Sequence, residues 1–111
     1  MKKFLVLYHA PASAMEQMSK ATPEQAKAGM DLWMKWKDSN KKGIVDLGMP
    51  LGNGKQLQKS STSGAKSTIV GYSIVQSDSI ESATKMMKDH PHFHTPGGSV
   101  EVFEFLPMPG M

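Results

Sequence analysis

The chain has 111 residues, of which 39% are hydrophobic and 21% charged, a composition typical of one globular domain with a single core. It contains no cysteine, which excludes disulfides, thiol nucleophiles and cysteine-ligated metals and suits a reducing compartment. The net charge of +3 comes from scattered lysines, and arginine, which reads phosphates and guanine edges best, is absent, so we do not expect nucleic-acid binding.

The apolar run near the N-terminus is better explained as a strand than as a secretory signal. It covers only residues 4–8, whereas the core of a signal needs roughly 7–15 residues. No other stretch approaches the ~20 apolar residues of a membrane span. We therefore expect a cytoplasmic protein that is not inserted in a membrane. Its first strand, over residues 3–9, is apolar on both faces, as in a strand covered on two sides.

The first helix is predicted to begin at Thr22. This residue suits an N-cap, Pro23 suits the first helical position, and Gln25 completes a capping box. Residues 10–21 before it are predicted to be a loop, and residues 41–43, two lysines and a glycine, to end the helix with a left-handed cap. The spacing of a core-facing stripe is met by Ala26, Met30, Trp33, Met34 and Lys37.

The rest of the chain predicts three strands, a hairpin extension and one helix. The second strand covers residues 44–49, and Asn53-Gly54 predicts a hairpin that returns through residues 55–59. Residues 60–68 are predicted to be a mobile polar loop, and residues 69–76 a strand that is apolar on both sides. A second helix is expected at about 79–89, capped by Ser79 or Asp78, and a last strand at 100–106. The buried stripe of that helix is Ile80, Ala83, Met86 and Met87.

The order of these elements predicts an α+β fold in one domain over residues 1–111. Two right-handed crossover units of this kind interleave into a ferredoxin-like βαββαβ sandwich, here with an extra hairpin after the second strand and both helices on one face. Two strands are apolar on both sides, so the open face of the sheet needs another cover. A second copy is the simplest cover, and we expect a homodimer packed sheet against sheet.

Several segments resemble the YciI-like family, also called YCII-related or DGPF-related domains. They are Trp33-x-x-Trp36, Asp46-Leu-Gly-Met-Pro-Leu-Gly-Asn-Gly-Lys55, Gly71-Tyr-Ser-Ile-Val75, Asp78-Ser-Ile-Glu-Ser-Ala83, His90-Pro-His-Phe93 and Gly97-Gly-Ser-Val-Glu-Val102. The resemblance runs through nearly the whole chain. It implies a dimeric α/β barrel and, from some relatives, lyase or dehydrohalogenase chemistry without a redox cofactor.

The chain departs from the relatives thought to be enzymes at two positions. Those relatives carry a histidine near the start of the first helix and an aspartate before the proline that follows the second helix. Here the two places hold Gln25 and His90. The Asp-Gly-Pro-Phe signature is also replaced within residues 60–68. The histidine–aspartate pair of the relatives is therefore not carried over to this chain.

Three of the four histidines alternate along one short segment, at His90, His92 and His94. Pro91 forbids a continuing helix there. In the predicted topology the first strand runs antiparallel to both of its neighbours. Its end at His9 then lies at the edge to which the histidine segment returns. We therefore expect the four imidazoles to converge at that edge, near the start of the first helix.

The cluster has three interpretations. The first is a metal site, because imidazoles at alternate positions of an extended segment project to one side. In that case a divalent metal would be bound by His90, His92 and His94, with Asp89 or Asp46 as a further ligand. No other cofactor is expected. In an acid–base site, His9 or His92 would act and Asp46 or Tyr72 would orient it. In a structural loop, His90 would cap the second helix and the others would be polar surface residues.

The sequence favours a small-molecule pocket at this histidine-rich edge. The catalytic candidates are His9, His92 and Asp46, and the candidates for binding a small organic ligand are His90, His94, Tyr72 and Trp33. We expect a cofactor-independent, lyase-like acid/base enzyme. The alternative is a non-catalytic ligand-binding or interaction module in which the histidines are structural.

Overall fold

The computed structural model describes residues 1–110, without the side chains of residues 14 and 15. Met111, the last residue of the predicted domain, lies outside the described residues. The chain forms a mixed α+β fold with three α-helices, a four-stranded sheet and a separate two-stranded sheet in the described part. The elements in chain order are β1 (Lys2–His9), α1 (Ala14–Lys20), α2 (Pro23–Ser39), β2 (Ile44–Asp46), β3 (Lys55–Gln58), β4 (Ser61–Gly64), β5 (Ile69–Ser77), α3 (Ile80–Met87) and β6 (Ser99–Glu104).

The main sheet is antiparallel, with the strand order β2-β5-β1-β6. The first strand lies between the last two long strands and pairs antiparallel with both, as the interleaving of two strand–helix–strand units predicts. In the register, Leu7 lies opposite Tyr72 on β5 and opposite Glu101 on β6. This register decides which side chains of distant segments become neighbours at the candidate site.

The two faces of the sheet are covered differently. Successive side chains of a strand point to opposite faces, and in β1 the residues Phe4, Val6 and Tyr8 are buried while those between them are only half-buried. The buried face packs against α2 and α3 in one core that also contains Trp36, Val75, Ala83 and Met87. In the described part of the chain, no core residue of a helix lies over the opposite face, which holds Leu5, Leu7, His9, Tyr72, Ile74 and Phe103.

The predicted loop over residues 10–21 is wrong in its second half, because helix α1 lies there. The hydroxyl of Ser13 accepts a hydrogen bond from the backbone N–H of Glu16 and caps the helix. Ser-x-x-Glu is a capping signature, and the small residues around it concealed that signature in the sequence. The capping box of α2 at Thr22 and Gln25 is confirmed.

The predicted core stripe of α2 is wrong at three of its five residues. Met30 is 60% exposed, and Ala26 and Met34 are also exposed. Trp36, which was not in the stripe, is buried and donates its indole N–H to the carbonyl of Met86 at 3.3 Å. Only the C-terminal half of the helix lies over the sheet, so helical periodicity alone places the stripe too early. The helix ends at Asn40 and continues into a 3-10 turn, and Gly43 is not in the left-handed conformation predicted for a cap.

The predicted hairpin forms at a different turn. Strand β4 lies inside the segment 60–68, predicted to be a mobile loop. It pairs with β3 across residues 59–60, and β3 does not pair with β2. Asn53 does adopt a left-handed conformation (φ 54°), but it bends the chain without joining two paired strands. Strand β2 ends at Asp46, earlier than predicted. The left-handed Gly48 (φ 84°), whose N–H donates to the Asp46 carboxylate, turns the chain there.

Candidate functional site

The histidine segment is compact, not extended. Residues 91–94 form a 3-10 turn, which begins at Pro91 and is capped when the His90 Nδ1 atom accepts a hydrogen bond from the backbone N–H of His92 at 2.9 Å. His90 and His92 are buried, whereas His94 is exposed. The prediction that three imidazoles project to one side is therefore wrong, because alternation holds for extended backbone only. The His90 side chain caps this turn, and its backbone N–H donates to the carbonyl of Met87 at the end of α3 at 3.1 Å.

The His90 imidazole is enclosed by aromatic side chains. Its ring centroid lies 4.7 Å from that of Tyr8, 4.3 Å from that of Trp33 and 4.5 Å from that of Trp36, and both tryptophan rings stand at steep angles to it. Burial, together with the neighbouring His92, lowers the pKa of His90 from its ordinary 6.5 to about 3, so the ring is neutral at physiological pH. Trp33, predicted to bind a ligand, is half-buried in this cluster.

The tautomer of His90 follows from its contacts. Because Nδ1 accepts a hydrogen bond, the proton of the neutral ring is on Nε2. Among the described residues, His90 Nε2 has no conventional hydrogen-bond partner. The steeply inclined tryptophan rings are the neighbours whose faces an N–H group could meet, a weak but recognised contact. His90 is therefore a neutral, buried residue of the core.

His92 connects the histidine turn to the end of β1 through a hydrogen bond. Its Nε2 atom lies 2.7 Å from the backbone carbonyl oxygen of His9. A carbonyl can only accept, so Nε2 carries the proton and donates. His92 is 6% exposed, and its ring centroid lies 5.2 Å from that of Tyr8. This catalytic candidate therefore lies inside the protein, with its ring hydrogen bonded to the backbone.

The His9 side chain lies on the opposite face of the sheet. Tyr8 points into the core, so strand alternation turns the next residue toward the open face, and the pairing register with β5 shifts between these two residues. The predicted convergence of His9 with His90, His92 and His94 is therefore wrong for the side chains. Only the backbone of His9 meets the histidine segment.

On the open face His9 belongs to a chain of three polar groups. Its Nε2 atom is hydrogen bonded to the carboxylate of Glu101, and its Nδ1 atom lies 2.8 Å from the hydroxyl oxygen of Thr68. A carboxylate only accepts, so Nε2 carries a proton and donates it to Glu101. In the neutral form of the imidazole, the lone pair on Nδ1 then faces the Thr68 hydroxyl. An imidazole held by a carboxylate with its other nitrogen facing a hydroxyl is arranged to take up a proton.

Two members of this group, Glu101 and Thr68, were not among the candidates drawn from the sequence. The sequence suggested Asp46 or Tyr72 as the residue that orients the histidine, whereas the carboxylate of Glu101 is hydrogen bonded to His9 in the structure. Glu101 lies far along the chain in β6 and becomes a neighbour only through the pairing of His9 with Ser99 and of Leu7 with Glu101. Side chains alternate along β6, and this alternation places the Glu101 side chain on the open face. Once the pairing of β1 with β6 is known, the same alternation predicts that Glu101 lies near His9.

Asp46 and Tyr72 form a second polar pair on the same face. The Tyr72 hydroxyl donates to the Asp46 carboxylate at 3.3 Å. Tyr72 and Glu101 flank Leu7 from its two neighbouring strands, so about 10 Å separates their backbones, twice the spacing between strands. The open face therefore carries two polar groups, Glu101–His9–Thr68 and Asp46–Tyr72, around an apolar centre.

A metal site is not formed by the predicted ligands. Within residues 1–110, no group of three or more histidine, aspartate or glutamate side chains is arranged to hold a metal ion. The sequence-based hypothesis for His90, His92 and His94 required an extended segment, and the 3-10 turn separates two buried rings from an exposed one.

Comparison with known proteins leaves the family open. A scan against protein-family models and a search of curated proteins each found no match. The described helices are all too short or too polar to cross a membrane.

Proposed function

We propose that the chain is a YCII-related domain that dimerises through its open sheet face and carries a proton-transfer site on that face, centred on His9. The strand order β2-β5-β1-β6, with helices α2 and α3 on one side, supports the ferredoxin-like arrangement from which a dimeric α/β barrel is built. The segments quoted above support the family.

The surface area of the chain supports a partner. A monomeric protein of 12.1 kDa exposes roughly 6,000 Å² by the usual scaling with mass, whereas this chain exposes 8199 Å². Its radius of gyration is 15.5 Å, compared with roughly 13 Å for a compact domain of this length. The open sheet face, the exposed β3–β4 hairpin and the exposed first half of α2 all contribute to the excess.

The open face has the composition of an interface. Leu5, Leu7 and Ile74 form its half-buried centre, and Phe103 beside them is 48% exposed. A contiguous apolar patch on a sheet is uncommon on a monomer and typical of a surface that packs on a partner. A second copy placed there would surround His9 with apolar groups and exclude water, which strengthens its electrostatic interaction with Glu101.

The chemistry that this group supports is proton abstraction from a small organic molecule. The substrate would displace the Thr68 hydroxyl from His9 Nδ1, and that nitrogen would accept a proton from a carbon next to an electron-withdrawing group. The electron pair of the C–H bond would form a carbon–carbon double bond as a leaving group departs, and Glu101 would stabilise the resulting imidazolium. The Asp46–Tyr72 pair would bind the polar end of the substrate.

The observation that carries the proposal is the hydrogen-bonded sequence Glu101–His9–Thr68 at the edge of an uncovered apolar sheet. Turnover of small β-substituted carbonyl compounds and halogenated rings, followed by NMR, tests it. His9→Gln should slow elimination at least ~10²-fold, the usual contribution of a general base. Lys3→Gln, on the same strand and face, is the matched control and should retain the activity of the wild-type protein.

Two results would contradict this proposal. Equal rates for His9→Gln and the wild-type protein would remove His9 from the reaction. A dimeric wild-type protein without turnover of any compound in the panel would favour the non-catalytic ligand-binding or interaction module.

A further inference from the structure

We infer that His92 is a positioning residue for His9: from the covered side of the sheet it fixes the His9 backbone and thereby aims the His9 imidazole on the open side. The inference rests on the proposed His9 site. It gives the histidine-rich segment a role in function although neither of its buried rings reaches the open face.

The backbone around His9 is held from two directions. The His9 carbonyl accepts a hydrogen bond from His92 Nε2 at 2.7 Å, and the next N–H group, that of Ala10, donates to the Thr68 carbonyl at 3.0 Å. These contacts lie where the strand register shifts. An irregularity of this kind frees the local backbone from the regular ladder, so its direction is set by such additional contacts.

A small change in the direction of the His9 backbone would move the His9 imidazole relative to its hydrogen-bond partners. Both ring nitrogens of His9 are engaged, one by Glu101 and one by Thr68. A displacement of about 1 Å in the reacting group is enough to cost about 10²-fold in rate. The hydrogen bond from His92 lies on the other face of the sheet. It can therefore set the orientation of the His9 ring without occupying space that a substrate needs.

His92 is itself held in place by its neighbours. Its backbone N–H donates to His90 Nδ1, and its ring packs beside Tyr8. Gly98 approaches so closely that an added Cβ atom would lie 3.2 Å from His92 Nε2 and 2.9 Å from the His92 carbonyl oxygen. Gly98 therefore allows the backbone to pass close to the His92 ring. Substituting Gly98 offers a second way to disturb the hydrogen bond between His92 and His9.

The test measures the tautomer of the His9 ring in protein labelled with 15N-histidine. Long-range 1H–15N spectra distinguish a ring protonated on Nε2 from one protonated on Nδ1. His92→Phe keeps an aromatic ring of similar size but removes the donor, whereas His92→Gln can place an amide N–H near the position of Nε2. His94→Phe is the matched control, because His94 is exposed in the same turn.

We expect His9 in the wild-type protein to be mainly Nε2-protonated. His92→Phe should raise the Nδ1-protonated fraction about two- to tenfold, the factor that corresponds to one net hydrogen bond, and His92→Gln should restore the wild-type spectrum. His94→Phe should leave the His9 signals unchanged. Unchanged His9 signals in a folded His92→Phe protein would overturn the inference, whatever happens to its melting temperature.

Glu101→Gln separates this inference from the proposed function. If Glu101→Gln leaves the His9 spectrum unchanged, the proposed site is itself wrong. If it alters the spectrum while His92→Phe does not, only the positioning role fails. If His92→Phe does not fold, Gly98→Ala replaces it, with Gly64→Ala as control because an added Cβ at Gly64 meets no atom within 4 Å. Unchanged His9 signals in Gly98→Ala would then refute the role of His92.

Discussion

Acidification should destabilise the protein through His90. The ring is 1% exposed, and burial, aided by His92, lowers its pKa from 6.5 to about 3. Between these two values the unfolded chain binds a proton at this position and the native protein does not. The stabilisation is therefore fully present above pH 6.5 and is lost as the pH falls toward 3. From about pH 7.5 to about pH 5 the loss amounts to about 2 kcal/mol.

His90→Asn tests this prediction with little change to the local backbone. The asparagine side-chain oxygen can accept the His92 N–H as His90 Nδ1 does, and asparagine does not titrate. The variant loses an aromatic ring and should be less stable at every pH. The quantity compared is therefore the change in the free energy of unfolding between the two pH values. That change should be about 2 kcal/mol smaller than in the wild-type protein.

Urea unfolding provides the measurement. The two tryptophans, Trp33 and Trp36, both pack against His90, so their fluorescence reports on this part of the core. Exchanging the exposed His94 for asparagine is the control and should keep the wild-type pH dependence. Equal pH dependence in the wild-type protein and His90→Asn would refute the interpretation of His90 as a neutral core residue.

Two further substitutions test the packing around the site. Tyr8→Phe removes the hydroxyl hydrogen bonded to Ser73 at 2.8 Å and should lower the free energy of unfolding by about 1 kcal/mol, measured by urea unfolding; no change would indicate that this buried bond contributes nothing. Gly48→Ala should destabilise the protein strongly, because the backbone is left-handed there (φ 84°) and the new Cβ would lie 1.7 Å from the Tyr72 carbonyl oxygen. Its thermal midpoint should fall well below that of Gly29→Ala, whose Cβ meets no atom within 4 Å, and equal midpoints would contradict the turn geometry.

The sequence was sufficient for those parts of the fold that depend on local chemistry. Thr22 and Gln25 form a capping box, and the apolar run after the first lysines forms a strand. Chain order also predicted that β1 lies between β5 and β6. The local hairpin signal failed, because it does not decide which strands pair. Asn53-Gly54 has the stronger hairpin signature, yet the paired turn is at residues 59–60, since pairing depends on which strands meet.

The candidate site was predicted only in part. His9, Asp46 and Tyr72 were recognised as candidates and do share one face of the sheet. Glu101 was missed because its proximity to His9 is created by strand register, which the sequence does not display. The role of His92 was missed for a different reason. Its partner is a backbone carbonyl, and no residue pattern marks that acceptor.

The central claim is that a second copy covers the open sheet face and so encloses His9. Light scattering coupled to size-exclusion chromatography, at micromolar concentration, tests it most directly. We expect a mass twice the chain's 12.1 kDa for the wild-type protein. For Leu5→Asp, which places a charge at the centre of that face, we expect the single-chain mass. A stable mass of 12.1 kDa for the wild-type protein would show that no second copy covers the open face.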